Sequence, residues 1–538
     1  MKIIFINRSD VISLIITILS VAVYILGSLT GGTLSQQLLR NATTGPDGSL
    51  HIYLTQAIYS YGGYTYGNKP ILDKHSVSST MLKSYPQGWA MTSALWWHTI
   101  TPHLNIRQEP IKVLALFYIM VTIWWGSLIY LFNQSILFII EKVRAKKNDI
   151  IAYSGSVMFT ILAELLFFIN LIRDNFVSFL PVLVFSIGLV ILISDFQINK
   201  REDNNNPGIF IFEGLLLSGG VMMSWLLAAP IDYIMVFTAL IIFHEGSAFK
   251  LAKWLISRPR ILITSIILIL LASSQGFVQI LFGGGLTGIN GIGNAGNMHY
   301  SIMFPLLLFI LVIILIIKHR SSLTNMFIAC MGGAFFISGT IFYYQLISSG
   351  SSGYYSNKIN ILTFVLLFIF VAVSLIFIFY EYLSAYKSKI IAILFTVGLI
   401  MFIPAGSKIN NGNLSTVGIT SIQYILGKRF LSETSASQIS SLLISKQIQS
   451  DNLIVYKDLG YAEDTEATYL VPTLSNKVIP ICFSEIQHEI FSQWNIKPSV
   501  VINCARNSKF FIIASSKDYN RLETDFKGHP NIDIILSS

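Results

Sequence analysis

Charge is scarce in this chain. Of its 538 residues only 12% are Asp, Glu, Lys or Arg, about half the share of an average soluble domain, which excludes a soluble globular enzyme of this length. Cysteine is scarcer still. Cys330, Cys482 and Cys504 include no pair at C-x-x-C spacing, so no cysteine metal signature exists. Cys330 lies in an apolar segment and reads as a small packing residue. Cys482 and Cys504 fall in the polar C-terminal region, where they are either a disulfide facing an oxidising compartment or two free thiols. That region also lacks a GxGxxG, a P-loop and any triad spacing, so it reads as a lid or acceptor-docking module rather than a separate catalyst.

Apolar residues are what the chain has, at 53% with a mean hydropathy of +0.65. Windows of about 19 residues predict eleven transmembrane helices, at 11–30, 111–132, 150–170, 176–195, 208–228, 231–248, 261–282, 301–317, 323–347, 359–379 and 390–404. The first is too long for a signal-peptide core and lacks a small-residue cleavage site. The net charge of +9 is no sign of nucleic acid, because the basic residues gather in alternate short loops: Lys142 to Lys147, Lys200 and Arg201, Lys250 to Arg260, Lys318 and Arg320, Lys387 and Lys389. By the positive-inside rule these loops are cytoplasmic. The amino terminus is then cytoplasmic, and the long first loop (31–110) and the tail (407–538) are both outside the cell membrane. Residues 1–406 form the membrane module. The tail reads as an α/β domain, with helices over 436–449, 484–494 and 518–526 and β-type runs at 453–456, 477–482, 499–503, 510–514 and 532–536.

The first loop holds the chemistry-bearing residues. Asp47 stands just before a run in which Leu50, Tyr53, Leu54, Ala57, Ile58 and Tyr61 recur at helical spacing, predicting an amphipathic helix lying on the membrane with its polar face toward water. His51 follows Asp47 by one turn, and Asp73 with His75 forms a second acid–imidazole pair. Tyr85-Pro86-Gln87-Gly88-Trp89 leads into a second interfacial stretch ending near His98.

These features resemble the GT-C superfamily of multi-spanning glycosyltransferases, which includes protein O-mannosyltransferases, oligosaccharyltransferase catalytic subunits and actinobacterial arabinofuranosyltransferases. The resemblance lies in an amino-terminal span from the cytoplasm, a long first outer loop with an acid soon after that span, two membrane-parallel loop helices, the aromatic-proline element and an external carboxy-terminal domain. It implies inverting transfer of a sugar from a polyprenyl-phosphate donor to an envelope glycan, lipid or protein acceptor on the outer face, with Asp47 as catalytic base and Asp73 in reserve. A carboxylate beside a low-dielectric surface suits proton abstraction from a hydroxyl. Asp47 also reads as a helix N-cap, and the two roles are compatible. No DxD-type motif is found in the outer loops, so no cofactor is expected and a divalent metal is left open.

A donor phosphate needs a cation near the outer interface. Lys358 opens a predicted span after a Gly/Ser-rich loop ending in Tyr354 and Tyr355, and Arg173 beside Asp174 ends the third span. The same residues also read as an aromatic belt with a snorkelling Lys, and as a local ion pair. Asp232 at a tight outer turn lines the cleft or caps its helix. The Gly-rich segment 283–296, ending near His299, reads as a gate or a connector. Glu164 and Glu213 are almost the only acids within spans, which weighs against a lipid-linked glycan flippase; the early position of the large loop weighs against a polysaccharide polymerase or ligase.

Overall fold

A computed structural model describes residues 7–42, 48–63, 65, 87–106, 108–144, 150–173, 176–198, 206–282, 321–349, 354–386, 452–457, 498–506, 509–514 and 516–536. From the amino end, α1 (Arg8–Leu29) is followed by the helices of the first long connection, α2 (Leu34–Ala42), α3 (Gly48–Tyr61) and α4 (Gly88–Ile100). Next come α5 (Pro110–Arg144) and α6 (Ile150–Ala163), which passes through a π-helical turn, Glu164–Phe168, into α7 (Ile169–Arg173). Then follow α8 (Phe179–Ile198), α9 (Pro207–Ser224), α10 (Ala229–Phe243), α11 (Ala248–Ile256), α12 (Pro259–Phe282), α13 (Ser321–Ser349) and α14 (Tyr354–Tyr386).

Among the described residues seven helices are long and apolar enough to cross a membrane, within α1, α5, α6–α7, α8, α9, α13 and α14; an eighth appears if α10 and α11 count as one bent span. The protein is a helical multi-spanning membrane protein. Nine of the eleven predicted segments fall on described helices, whereas 301–317 and 390–404 lie outside the described residues.

Two elements depart from the hydropathy reading. The helix predicted over 111–132 runs on to Arg144, because Asn133 and Ser135 inside it are buried rather than chain-breaking: Asn133 accepts from Ser13 Oγ on α1 at 2.7 Å and donates to Thr160 on α6 at 2.9 Å. Its last turns carry Lys142, which pairs with Asp195 near the end of α8 at 3.0 Å. The segment predicted over 231–248 stops at Phe243, where Glu245 (φ 59°) and Gly246 (φ 74°) turn left-handed and the chain bends by 94° into the short helix α11. Lys250 and Lys253, expected in a loop, are therefore on a helix.

Close helix packing rests on small residues and aromatic pairs. A Cβ on Gly126 of α5 would meet Val21 of α1 at 3.3 Å, and one on Gly333 of α13 would meet Ile234 of α10 at 2.8 Å. Tyr24 stacks on Tyr118 and meets Trp125 edge-on. The α9 and α12 helices run parallel: Gly208 faces Ile261 near their starts and Gly276 faces Leu226 near their far ends.

The C-terminal region contains a parallel three-stranded sheet in the order β1 (Asn452–Lys457), β2 (Lys509–Ala514), β3 (Ile532–Leu536), with α15 (Pro498–Cys504) before β2 and α16 (Ser516–Asp525) between β2 and β3. The run 499–503, predicted β-type, is helical. Three apolar residues, Val500 to Ile502, have no decisive period, and Pro498 at the first helical position favours a helix start. Val501, Leu522 and Phe526 pack on Phe510, Ile512 and Ile532 as a separate small core. The elements predicted at 436–449, 477–482 and 484–494 lie outside the described residues. Cys504 is disulfide-bonded and Cys330 is free. Cys482 lies outside the described residues.

Candidate functional site

The sequence predicts two helices in the first long connection and three are described; of these, α3 and α4 pack face to face. Tyr53, Leu54, Ala57 and Ile58 of α3 meet Ala90 and Ala94 of α4, the small alanines letting the backbones approach. This apolar face is the one the helical spacing predicts. The opposite face is not toward water as expected: His51, Thr55 and Gln56 are fully buried as well. The reason is that α3 is enclosed by protein, with Ile52 in the main core and the His51 ring edge-on to Trp89 at 6.5 Å.

Trp89, Ser93 and Trp97 lie four residues apart along α4 and so form one stripe. Trp89 meets Phe117 and Trp124 of α5, and Trp97 meets Tyr59 of α3. The indole N–H groups of both tryptophans, the Ser93 hydroxyl and both ends of the Gln56 amide are buried without a hydrogen-bond partner among the described residues. Each such group costs about 1–3 kcal/mol if nothing satisfies it; they lie on the Trp89–Ser93–Trp97 stripe of α4 and, separately, on the face of α3 turned away from α4.

Of the aromatic-proline element, Gln87 to Trp89 are described and have a mechanical role. Gln87 is buried and binds Thr65 twice: its Oε1 accepts from the Thr65 N–H at 3.0 Å, and its amide donates to the Thr65 hydroxyl. Gly88 starts α4 against the end of α9, where a Cβ would collide with the Met223 carbonyl and lie 2.9 Å from Ser224 N. Only glycine fits. Two residues past Met223, Trp225 stands edge-on to Phe179 at 5.2 Å, and Phe176, three residues earlier, carries the Lys358 ammonium over its ring at 4.1 Å. A chain of contacts thus links α4 to the start of α14 across one end of the bundle. Lys358 is only 3% exposed, so it is a buried cation beside the Arg173 turn rather than a snorkelling one. Next to it the Ser356 N–H donates to buried Gln345 at 3.3 Å.

At the same end Glu109 precedes α5. The Asn105 backbone N–H at 3.1 Å and Lys112 at 3.2 Å hold its carboxyl below the usual carboxylate range.

Of the predicted site residues, Asp47, Asp73, His75, Tyr85 and Asp174 lie outside the described residues, as do 283–296 and His299. The Asp47 position immediately precedes Gly48, the first residue of α3. Arg173 ends α7, and Tyr354 and Tyr355 begin α14, but their side chains also lie outside what is described. Asp232 is fully buried within the bundle, where the Ser186 hydroxyl of α8 reaches both carboxylate oxygens at 3.0 Å. Glu164 accepts from Ser20 of α1 at 2.9 Å in the π-helical turn. Among the described residues no group of three or more His, Cys, Asp or Glu is placed to hold a metal ion. Gln56, Ser93 and Trp97 were not anticipated; the four-residue spacing of Trp89, Ser93 and Trp97 was the available signal.

No protein family model matches the chain, and no curated protein matches it.

Proposed function

We propose that the protein is an inverting membrane glycosyltransferase of the GT-C type, moving a sugar from a polyprenyl-phosphate donor to an envelope glycan, lipid or protein acceptor outside the cell. The observation that carries this reading is the contact path Gly88–Met223 and Trp225–Phe179, ending at Phe176–Lys358, which joins the loop helices to a buried cation at one end of the bundle. In this reading an acceptor hydroxyl gives its proton to Asp47 as its oxygen bonds the anomeric carbon. The bond from that carbon to the lipid phosphate breaks, and the leaving phosphate is met by Lys358. Trp89, Ser93, Trp97 and Gln56 offer aromatic faces and hydrogen bonds suited to a sugar. The bonded Cys504 fits a tail in an oxidising, extracytoplasmic compartment, with the amino terminus cytoplasmic.

Replacing Asp47 by Asn and assaying transfer from a labelled polyprenyl-phosphate sugar tests the mechanism. Transfer should fall by a factor of about 10² or more with insertion unchanged. Full activity moves the base to Asp73 or removes the mechanism.

A further inference from the structure

At the opposite end of the bundle, a cleft of about 340 Å³ opens between the first turns of α9 and α12. Its mouth is polar, with Asn206, Arg260 and Thr264; its depth is apolar, with Phe212, Ile261 and Leu268. Leu268 lies two helical turns beyond Arg260, about 12 Å along the axis. The cleft thus has the length and polarity order of a charged head followed by a hydrocarbon tail. Gly208 keeps the two helices close enough to form it, since a Cβ there would meet Ile261 at 2.9 Å.

The surroundings say what kind of head. Arg260 is exposed and makes no ion pair or hydrogen bond among the described residues. The neighbouring α11 lies across the end of the bundle after its 94° bend, with Phe249 80% exposed and Ile256 71% exposed on one side and Lys253 beside them. That is the pattern of a helix lying in a bilayer interface, apolar residues in the acyl boundary and lysines at head-group level. Arg258 lies over the Trp254 ring at 4.5 Å, and among the described residues Lys250 alone of these four has a carboxylate partner, Glu245. Lys253, Arg258 and Arg260 therefore leave a local excess of positive charge. Beyond the cleft α12 continues with exposed Ile263, Ile267, Leu270 and Leu271, so the occupant's tail would run into a surface already suited to lipid.

We infer that this cleft binds an anionic phospholipid of the surrounding bilayer, its phosphate at Arg260 and one acyl chain along Ile261 and Leu268. The site is separate from the loop-helix end and does not depend on the glycosyltransferase reading.

The test uses full-length detergent-purified protein, with thermal unfolding and native mass spectrometry in phosphatidylglycerol, phosphatidylcholine or soluble glycerol 1-phosphate. Phosphatidylglycerol should raise the melting temperature and stay bound, while the other two do neither. Arg260→Gln should weaken phosphatidylglycerol binding about fivefold, the loss of one basic contact at a membrane surface. Arg260→Lys should keep most of it, and Lys112→Gln, at the other end of the bundle, should change nothing. Thr264→Trp fills the cleft while leaving the arginine, so it keeps the question open to decision if the Gln variant does not fold; it too should lose binding. Equal effects of phosphatidylcholine, the same shift from glycerol 1-phosphate, or wild-type binding by either Arg260→Gln or Thr264→Trp would overturn the proposal.

Discussion

Gly88 and Lys358 are the two residues whose surroundings leave least room for substitution. A methyl group at Gly88 would meet the backbone of Met223 and Ser224, which cannot rotate away as a side chain would. Gly88→Ala is therefore expected to cost about 1–3 kcal/mol, seen as a lower melting temperature in detergent; an unchanged melting temperature would mean that α4 and α9 do not meet as described. Lys358→Gln should raise the apparent KM for the donor with a smaller effect on kcat, and Lys358→Arg should restore part of it, because a second cation can still meet a phosphate. Equal KM values in all three proteins would reduce Lys358 to a packing residue. Lys358 stands out in the sequence because a lysine at the end of a span is conspicuous against so little charge. Its burial against Phe176 was not, since those residues are 182 positions apart and only the packing of α8 beside α14 joins them.

At the scale of elements, α3 and α4 carry most of what the sequence could show and what it could not. The apolar spacing located α3 and, at Tyr53, Leu54, Ala57 and Ile58, its face on α4, while Tyr61 at its end is 45% exposed; a helical moment reports only that one face is more polar than the other. Whether that polar face meets water or protein depends on tertiary neighbours, and here His51, Thr55 and Gln56 face protein. The same limit applies to 499–503, where the short apolar run Val500 to Ile502 belongs to the helix α15. The unsatisfied amide of Gln56 yields a test that separates folding from function: Gln56→Leu removes a buried polar group while keeping similar volume. It is expected to raise the melting temperature by a few degrees and to lower sugar transfer about tenfold or more. A variant that is more stable and fully active would show that the buried Gln56 amide is merely imperfect packing.

For the whole molecule, hydropathy located helices at nine of its eleven predicted spans, and seven described helices, or eight with the bent pair, are long and apolar enough to cross a bilayer, whose thickness sets that length. It did not anticipate the short helix α11, whose nine residues are too few to register as a span. The disulfide at Cys504 allows the sidedness to be measured on intact cells. An impermeant reductant followed by an impermeant maleimide should label Cys504; labelling only after permeabilisation would place the tail inside. Reduction should also loosen the C-terminal domain by about 2–5 kcal/mol, read as faster limited proteolysis between the sheet and the bundle. The central claim is that the loop helices and the start of α14 share one site for a lipid-phosphate sugar. A photoactivatable polyprenyl-phosphate sugar cross-linked to the full chain tests it most directly. Adducts on peptides containing Trp89 to Trp97 and Ser356 to Lys358, competed by unlabelled donor, are the predicted result; adducts confined to peptides around Arg260, or spread evenly over the lipid-facing helices, would contradict it.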